Sequence, residues 1–201
     1  MVFVTFSFRI ESMALVYVIR HGRPASTWGS SEDDPGLDDL GRQQADEAMA
    51  WLMALPEAER PRHVVSSPLR RCRETAQPMA RALGLDLMID PRVGEIPTPS
   101  SIQASERPAW LRAAFAGDWQ DIQGDLDYHA WAQGVALAIA DYPNSAVFSH
   151  FVALNAAVSV ATGEDRVAAF RPDHCSITIF DINDGRLILQ EKGREAQSQV
   201  L

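Results

Sequence analysis

The chain has 201 residues, of which 46% are hydrophobic and 22% charged, and its 18 Lys and Arg against 27 Asp and Glu leave a formal charge of −9. That composition fits one globular domain with a sizeable core and excludes disordered, collagen-like and disulfide-stapled chains. No basic excess exists to hold a nucleic-acid backbone or an anionic membrane, so neither is an expected partner, and an anionic ligand must be bound by local groups.

Along the chain, residues 1–12 are apolar and aromatic, but Arg9 interrupts them and they lack both a basic start and a small-residue cleavage site. They make a poor signal peptide, and residues 1–13 are expected to form an appendage outside the core, with Met13 a candidate natural start. Residues 14–19 form a β-branched apolar run, predicted as a strand buried on both faces. The stretch to Gly36 is rich in Ser, Gly, Pro and Asp and reads as loop, with Glu32-Asp33-Asp34 as solvated acidic residues. Asp38 or Asp39 then caps a helix whose apolar positions, Leu40 to Leu55, keep helical spacing until Pro56 stops it. Residues 63–66 are a second strand; Ser67 and Pro68 supply an N-cap and a first-turn proline for a helix ended by Gly84. Residues 85–89 are a third strand, followed by a long irregular region to about residue 125. Residues 128–140 are a helix, 146–149 a fourth strand, and 151–161 a helix stopped by Gly163. Residues 176–182 and 186–190 pair as a hairpin across Asn183-Asp184-Gly185. The longest apolar region, residues 146–161, carries Ser149, His150, Asn155 and Ser159, so no transmembrane helix is expected. The two cysteines, Cys72 and Cys175, suit reduced thiols in a cytoplasmic protein.

Strands alternating with helices predict an α/β fold: a three-layer sandwich with a mainly parallel central sheet, helices on both faces and a C-terminal β-hairpin. Such sheets bind ligands beyond the carboxyl ends of their strands. Three of those ends are unusually polar: Arg20-His21-Gly22-Arg23-Pro24, Ser66-Ser67-Pro68-Leu69-Arg70-Arg71 and Ser149-His150. Together they suit a phosphoryl group, because guanidinium forks pair with phosphate oxygens and a neutral imidazole nitrogen attacks phosphorus in line. At about 1.5 to 3 kcal/mol per charge-assisted hydrogen bond, two arginines and a histidine hold a phosphate despite an acidic surface. Each strand end alone is equally well read as an ordinary turn into a capped helix. In the second helix the apolar stripe Leu69, Cys72, Ala76, Met79 and Leu83 puts Arg71 and Thr75 on one flank and Arg70 with Glu74 on the other. Arg70 therefore has a solvated partner, and Arg71 is available to the pocket.

These segments resemble the histidine phosphatase superfamily in its phosphoglycerate-mutase-like branch. Arg20-His21-Gly22 looks like the family's signature, with His21 where the phosphorylated histidine sits. Leu37-Asp38-Asp39-Leu40-Gly41 through Ala45 resembles its leucine-threonine-x-x-glycine helix start, with Asp38 in place of threonine. Ser67-Pro68-Leu69-Arg70-Arg71 through Thr75-Ala76 is similar to its serine-proline-leucine-x-arginine motif, Ser149-His150 to its distal serine-histidine pair, and Glu95 falls where the family keeps its proton donor. The resemblance covers about residues 14–182, and it places a single domain over 14–201 with a cap insertion at about 95–127. Three departures stand out. Phe151-Val152 replaces the glycine that usually follows the distal histidine, Thr27 stands where many members place a phosphate-binding asparagine, and Gly117-Asp118-Trp119-Gln120 is a displaced remnant of a glycine-x-tryptophan-glutamate element.

The resemblance implies a phosphatase that hydrolyses a small phosphomonoester through a phosphohistidine, with His21, Glu95 and His150 catalytic. Neutral His21 attacks phosphorus, Arg20, Arg71 and protonated His150 hold the phosphoryl oxygens, and Glu95 exchanges protons with the leaving alcohol and then with water. No metal and no cofactor are required. Arg23, Thr27 and Phe151 are additional candidate substrate contacts; for Arg23 a solvated loop position is an equal alternative. His63 and His129 read as structural or surface residues, and His174, beside Asp173 and Cys175, is a poor metal ligand because consecutive strand residues point apart. The alternatives are mutase-type phosphoryl transfer, a phosphohistidine protein phosphatase and a non-catalytic phosphate-binding domain. The expected partner is a small phosphorylated metabolite; a homodimer is left open.

Overall fold

A computed structural model describes residues 14–26 and 34–197; the expected appendage over 1–13 and the candidate contact Thr27 lie outside them. Six strands form one sheet, in the order β3-β2-β4-β1-β5-β6. Here β1 is Leu15–Arg20, β2 His63–Ser66, β3 Leu87–Ile89, β4 Ser145–Ser149, β5 Ile177–Asn183 and β6 Arg186–Glu191. The strands β3, β2, β4 and β1 are parallel, while β5 runs antiparallel to both β1 and β6. The helices are α1 (Asp39–Ala54), α2 (Arg70–Leu83), α3 (Arg107–Ala116), α4 (Tyr128–Ala140) and α5 (Phe151–Thr162).

The continuous apolar runs of β1 and β4 occupy the middle of the sheet because they can be buried on both faces. Alternate residues serve opposite layers. Val16, Val18, Val65 and Val147 face a core built with α4 and α5, whereas Tyr17, Ile19, Val64 and Phe148 face one built with Leu52 of α1 and Met79 of α2. This is the α/β sandwich expected from the sequence. Asp184 and Gly185, with φ of 50° and 72°, turn the hairpin in the left-handed pair of conformations that matches strand twist.

Two local expectations are corrected. The third strand starts at Leu87 rather than Leu85, because the Leu85 N–H donates to the Ala80 carbonyl and closes α2. The second helix starts at Arg70, and Ser67 does not cap it. Asp34 does, accepting the Arg70 N–H at 2.9 and 3.0 Å, while the Ser67 hydroxyl is engaged by His150. Asp38 caps α1 through the Gly41 N–H, as expected.

Register positions the site. Arg20 pairs with Ser149, and Ser66 with both Phe148 and Ile89, so the parallel strands end side by side. The residues that follow, His21, Ser67 and His150, therefore emerge on one rim. Among the described residues no helix is long and apolar enough to cross a membrane.

Candidate active site

His21 is 5% exposed and donates Nδ1–H to the Gly22 carbonyl at 2.8 Å. A carbonyl only accepts, so the proton is assigned to Nδ1 and the lone pair to Nε2. Burial, followed by the charges of Arg71 and Arg20 and by His150, holds its pKa well below the usual histidine value. The neutral form of His21 is thus favoured, with an Nε2 lone pair that the Gly22 contact does not use.

The loop that carries it is tied down by small residues. The Gly22 N–H donates to Thr75 Oγ1 at 2.9 Å, and that hydroxyl donates to the Arg71 carbonyl at 2.6 Å, linking the loop that carries His21 to α2. A Cβ on Gly22 would lie 2.6 Å from the Gly41 carbonyl oxygen, and one on Gly41 would lie 2.1 Å from that of Arg23. The two glycine motifs of the sequence are therefore one contact, in which backbone meets backbone.

Around His21 stand the other expected groups. The His150 ring lies 5.4 Å away, centroid to centroid. Its Nδ1 is 3.2 Å from Arg71 Nη2, and its Nε2 is 2.8 Å from Ser67 Oγ. A guanidinium only donates, so Nδ1 accepts and Nε2–H donates to the serine. Glu95, whose side chain is 9% exposed, places Oε2 3.6 Å from Arg71 Nη2 and 3.5 Å from His150 Nδ1. Arg20 is buried, donates to the Pro172 carbonyl at 2.9 Å and sits over the Phe151 ring at 5.4 Å; burial pushes its pKa down to about 10. Five expected residues, Arg20, His21, Arg71, Glu95 and His150, thus converge, and Phe151 forms a wall beside them.

His150, expected to carry a proton against a phosphoryl group, lies in surroundings that by themselves disfavour charge on its ring. Burial comes first, and Arg71, Arg20 and Arg107 add to it, so the neutral form is favoured. Arg23 is half exposed and pairs with Asp38 at 2.5 Å, which is the solvated-loop alternative. Arg70 pairs with Glu74 on the outer flank of α2, as the helix geometry predicts. His63 and His129 are exposed. Among the described residues no group of three His, Cys, Asp or Glu side chains is arranged to hold a metal ion.

Four features escaped the sequence. Ser149 Oγ donates to the Val93 carbonyl at 2.6 Å and so anchors the segment that presents Glu95. Ser67 holds His150 rather than its own helix. His174 lies 5.8 Å from the His21 ring. Arg107, on the insertion, donates to the Ile96 carbonyl at 3.1 Å, lies over Trp110, and brings its charge to bear on His150. The insertion is anchored by Phe115 against Phe151 at 5.0 Å and by Trp119, whose Nε1–H donates to Ser159 Oγ at 3.0 Å.

A profile of the histidine phosphatase superfamily (branch 1) matches residues 16–194. The chain belongs to this superfamily. It is 27% identical over 194 residues to a protein of Escherichia fergusonii named probable phosphoglycerate mutase GpmB, covering 87% of each chain. It is 25% identical over 187 residues to the 2,3-bisphosphoglycerate-dependent phosphoglycerate mutase of Thermoplasma acidophilum, covering 88% of this chain and 91% of that one. The fold matches the alpha-ribazole phosphatase of Shigella flexneri with a TM-score of 0.68 at 22% identity, over 92% of this chain and 98% of that one. It matches the phosphoserine phosphatase of Entamoeba histolytica, solved with 3-phosphoglyceric acid, with a TM-score of 0.70 at 20% identity, over 92% and 98%. Membership supports an enzyme: relatives in sequence are named mutases, and neighbours in structure are named phosphatases.

Proposed function

We propose that this histidine phosphatase superfamily member is a metal-independent phosphomonoesterase that acts on a small phosphorylated metabolite through a phosphohistidine at His21. The observation that carries the reading is the geometry of the two buried imidazoles: the His21 Nδ1–H is held by the Gly22 carbonyl, which leaves the Nε2 lone pair for attack, and its ring lies 5.4 Å from that of His150, which Arg71 contacts. In the first step the Nε2–P bond forms and the ester P–O bond breaks, with Glu95 giving its proton to the leaving oxygen. In the second, Glu95 takes a proton from water, the water oxygen bonds to phosphorus, and the N–P bond breaks. Arg20 and Arg71 hold the phosphoryl oxygens throughout. The incoming dianion opposes the cationic field at His150 and favours its protonation, so that this group joins the arginines once substrate is bound.

The mutase names of the relatives favour a second reading, in which the phosphoryl group returns from His21 to another hydroxyl instead of to water. Labelled phosphate separates the two: release as inorganic phosphate marks hydrolysis, and transfer to a second hydroxyl marks the mutase. For either, His21→Ala abolishes turnover of an aryl phosphate and the labelled phosphoenzyme while circular dichroism is unchanged. Turnover retained by that variant removes His21 from the role of nucleophile.

A further inference from the structure

The turn entering β5 is joined to the end of β1 by two backbone hydrogen bonds. The Cys175 N–H donates to the Arg20 carbonyl at 3.0 Å, and the Arg20 N–H to the Ser176 carbonyl at 3.3 Å. Within the turn the Ser176 N–H donates to the Asp173 carbonyl at 3.1 Å, and the Asp173 carboxylate accepts the His174 N–H at 2.8 Å. Arg194 holds that same carboxylate at 3.2 Å. Cys175 sits at φ 54°, a left-handed conformation that a non-glycine residue seldom adopts. The side chain this strained, stitched turn delivers is His174, partly buried, with its ring plane tilted 50° to that of His21 and its centroid 5.8 Å away. His21 therefore meets two imidazoles, His150 and His174.

We propose that His174 is a positioning residue for the nucleophile: its ring packs on the His21 imidazole and, with the Gly22 carbonyl, fixes the plane in which the Nε2 lone pair lies. The inference rests on His21 being the nucleophile. One hydrogen bond at Nδ1 restrains the direction in which the ring points but not its tilt, which the contacts with the His150 and His174 rings together restrain. Attack in line with the breaking P–O bond needs the tilt fixed. The charged groups facing His174 are Arg20 on β1, Arg23 in the loop after it, Asp38 before α1, and Asp173 on its own turn. Burial and then Arg20 push its pKa down to about 4, so it meets His21 as a neutral ring.

The test uses the full chain, p-nitrophenyl phosphate, and the variants His174→Ala and His174→Phe. Alanine is expected to slow the burst of phosphoenzyme formation roughly 10- to 100-fold with little change in KM. Nitrogen-15 NMR of His21 is expected to change from the Nδ1–H tautomer to a mixture in that variant. Phenylalanine keeps a flat ring without nitrogens and is expected to restore most of the rate and the single tautomer. An alanine variant with the unaltered burst and tautomer overturns the proposal, and so does a phenylalanine variant with the rate and tautomer mixture expected of alanine. Should alanine fail to fold by circular dichroism, the rate and tautomer of the phenylalanine variant decide. Failure of the parent reading looks different: the unaltered protein turns over with no phosphoenzyme, and the tautomer comparison still reports on His174.

Discussion

Replacing Thr75 with valine keeps the side chain's shape and deletes one oxygen that serves two elements. That hydroxyl accepts the Gly22 N–H at 2.9 Å and donates to the Arg71 carbonyl at 2.6 Å, so its loss separates the loop bearing His21, the proposed nucleophile, from the helix bearing Arg71, a proposed phosphate ligand. The two bonds differ in consequence. The Arg71 carbonyl lies in the first turn of α2 and keeps its helical role as acceptor, whereas the buried Gly22 N–H is left without an acceptor, at a cost of about 1 to 3 kcal/mol. With a urea slope of about 2 kcal/mol per M, the unfolding midpoint falls by about 0.5 to 1.5 M. Activity falls as well, because His21 loses the restraint on its backbone, and a misplacement of about 1 Å costs roughly 100-fold in rate. The assay pairs urea unfolding with kcat on p-nitrophenyl phosphate, and Thr75→Ser, which restores both bonds, serves as control. Valine with an unchanged midpoint and unchanged kcat would refute the reasoning, since it would mean that the hydroxyl carries neither load.

Further predictions concern packing and protons. Gly41→Ala gains about 1 kcal/mol of helix propensity, yet its Cβ would meet the Arg23 carbonyl oxygen at 2.1 Å, and backbone cannot swing aside. Overpacking of about 2 to 3 kcal/mol therefore wins, and Tm falls by several degrees in a thermal scan; a rise would show that the two loops are not in contact. His21, His150 and His174 all have lowered pKa values, so as pH drops through about 6.5 the unfolded chain binds protons that the folded one refuses. Stability then declines with pH by up to about 1.4 kcal/mol per unit for each histidine, until His174 itself titrates near pH 4 in the folded state. Urea midpoints between pH 7 and 5 measure this, with His174→Asn expected to remove one histidine's share of the slope; a flat profile would contradict neutral burial.

Much of this protein was legible in local pattern. Apolar strands ending abruptly in Arg20-His21, Ser66-Ser67 and Ser149-His150 show both the parallel sheet and its candidate active rim, because burial on two faces and polar residues at the strand ends leave their marks in consecutive residues. Helical spacing separated Arg71 from Arg70 for the same reason, as the angle between neighbours on a helix is set by the backbone.

The remainder needed three dimensions. That Asp34 rather than Ser67 caps α2, that Ser149 anchors the Glu95 segment, and that His174 reaches His21 are contacts between residues far apart in the chain, and no spacing rule announces them. The surroundings that lower the pKa of His150 were not legible either, because composition does not reveal which side chains lose water. An imidazole after a strand is placed on the candidate rim by its position alone; whether it carries a proton depends on the burial and the guanidiniums that only the closed fold brings around it.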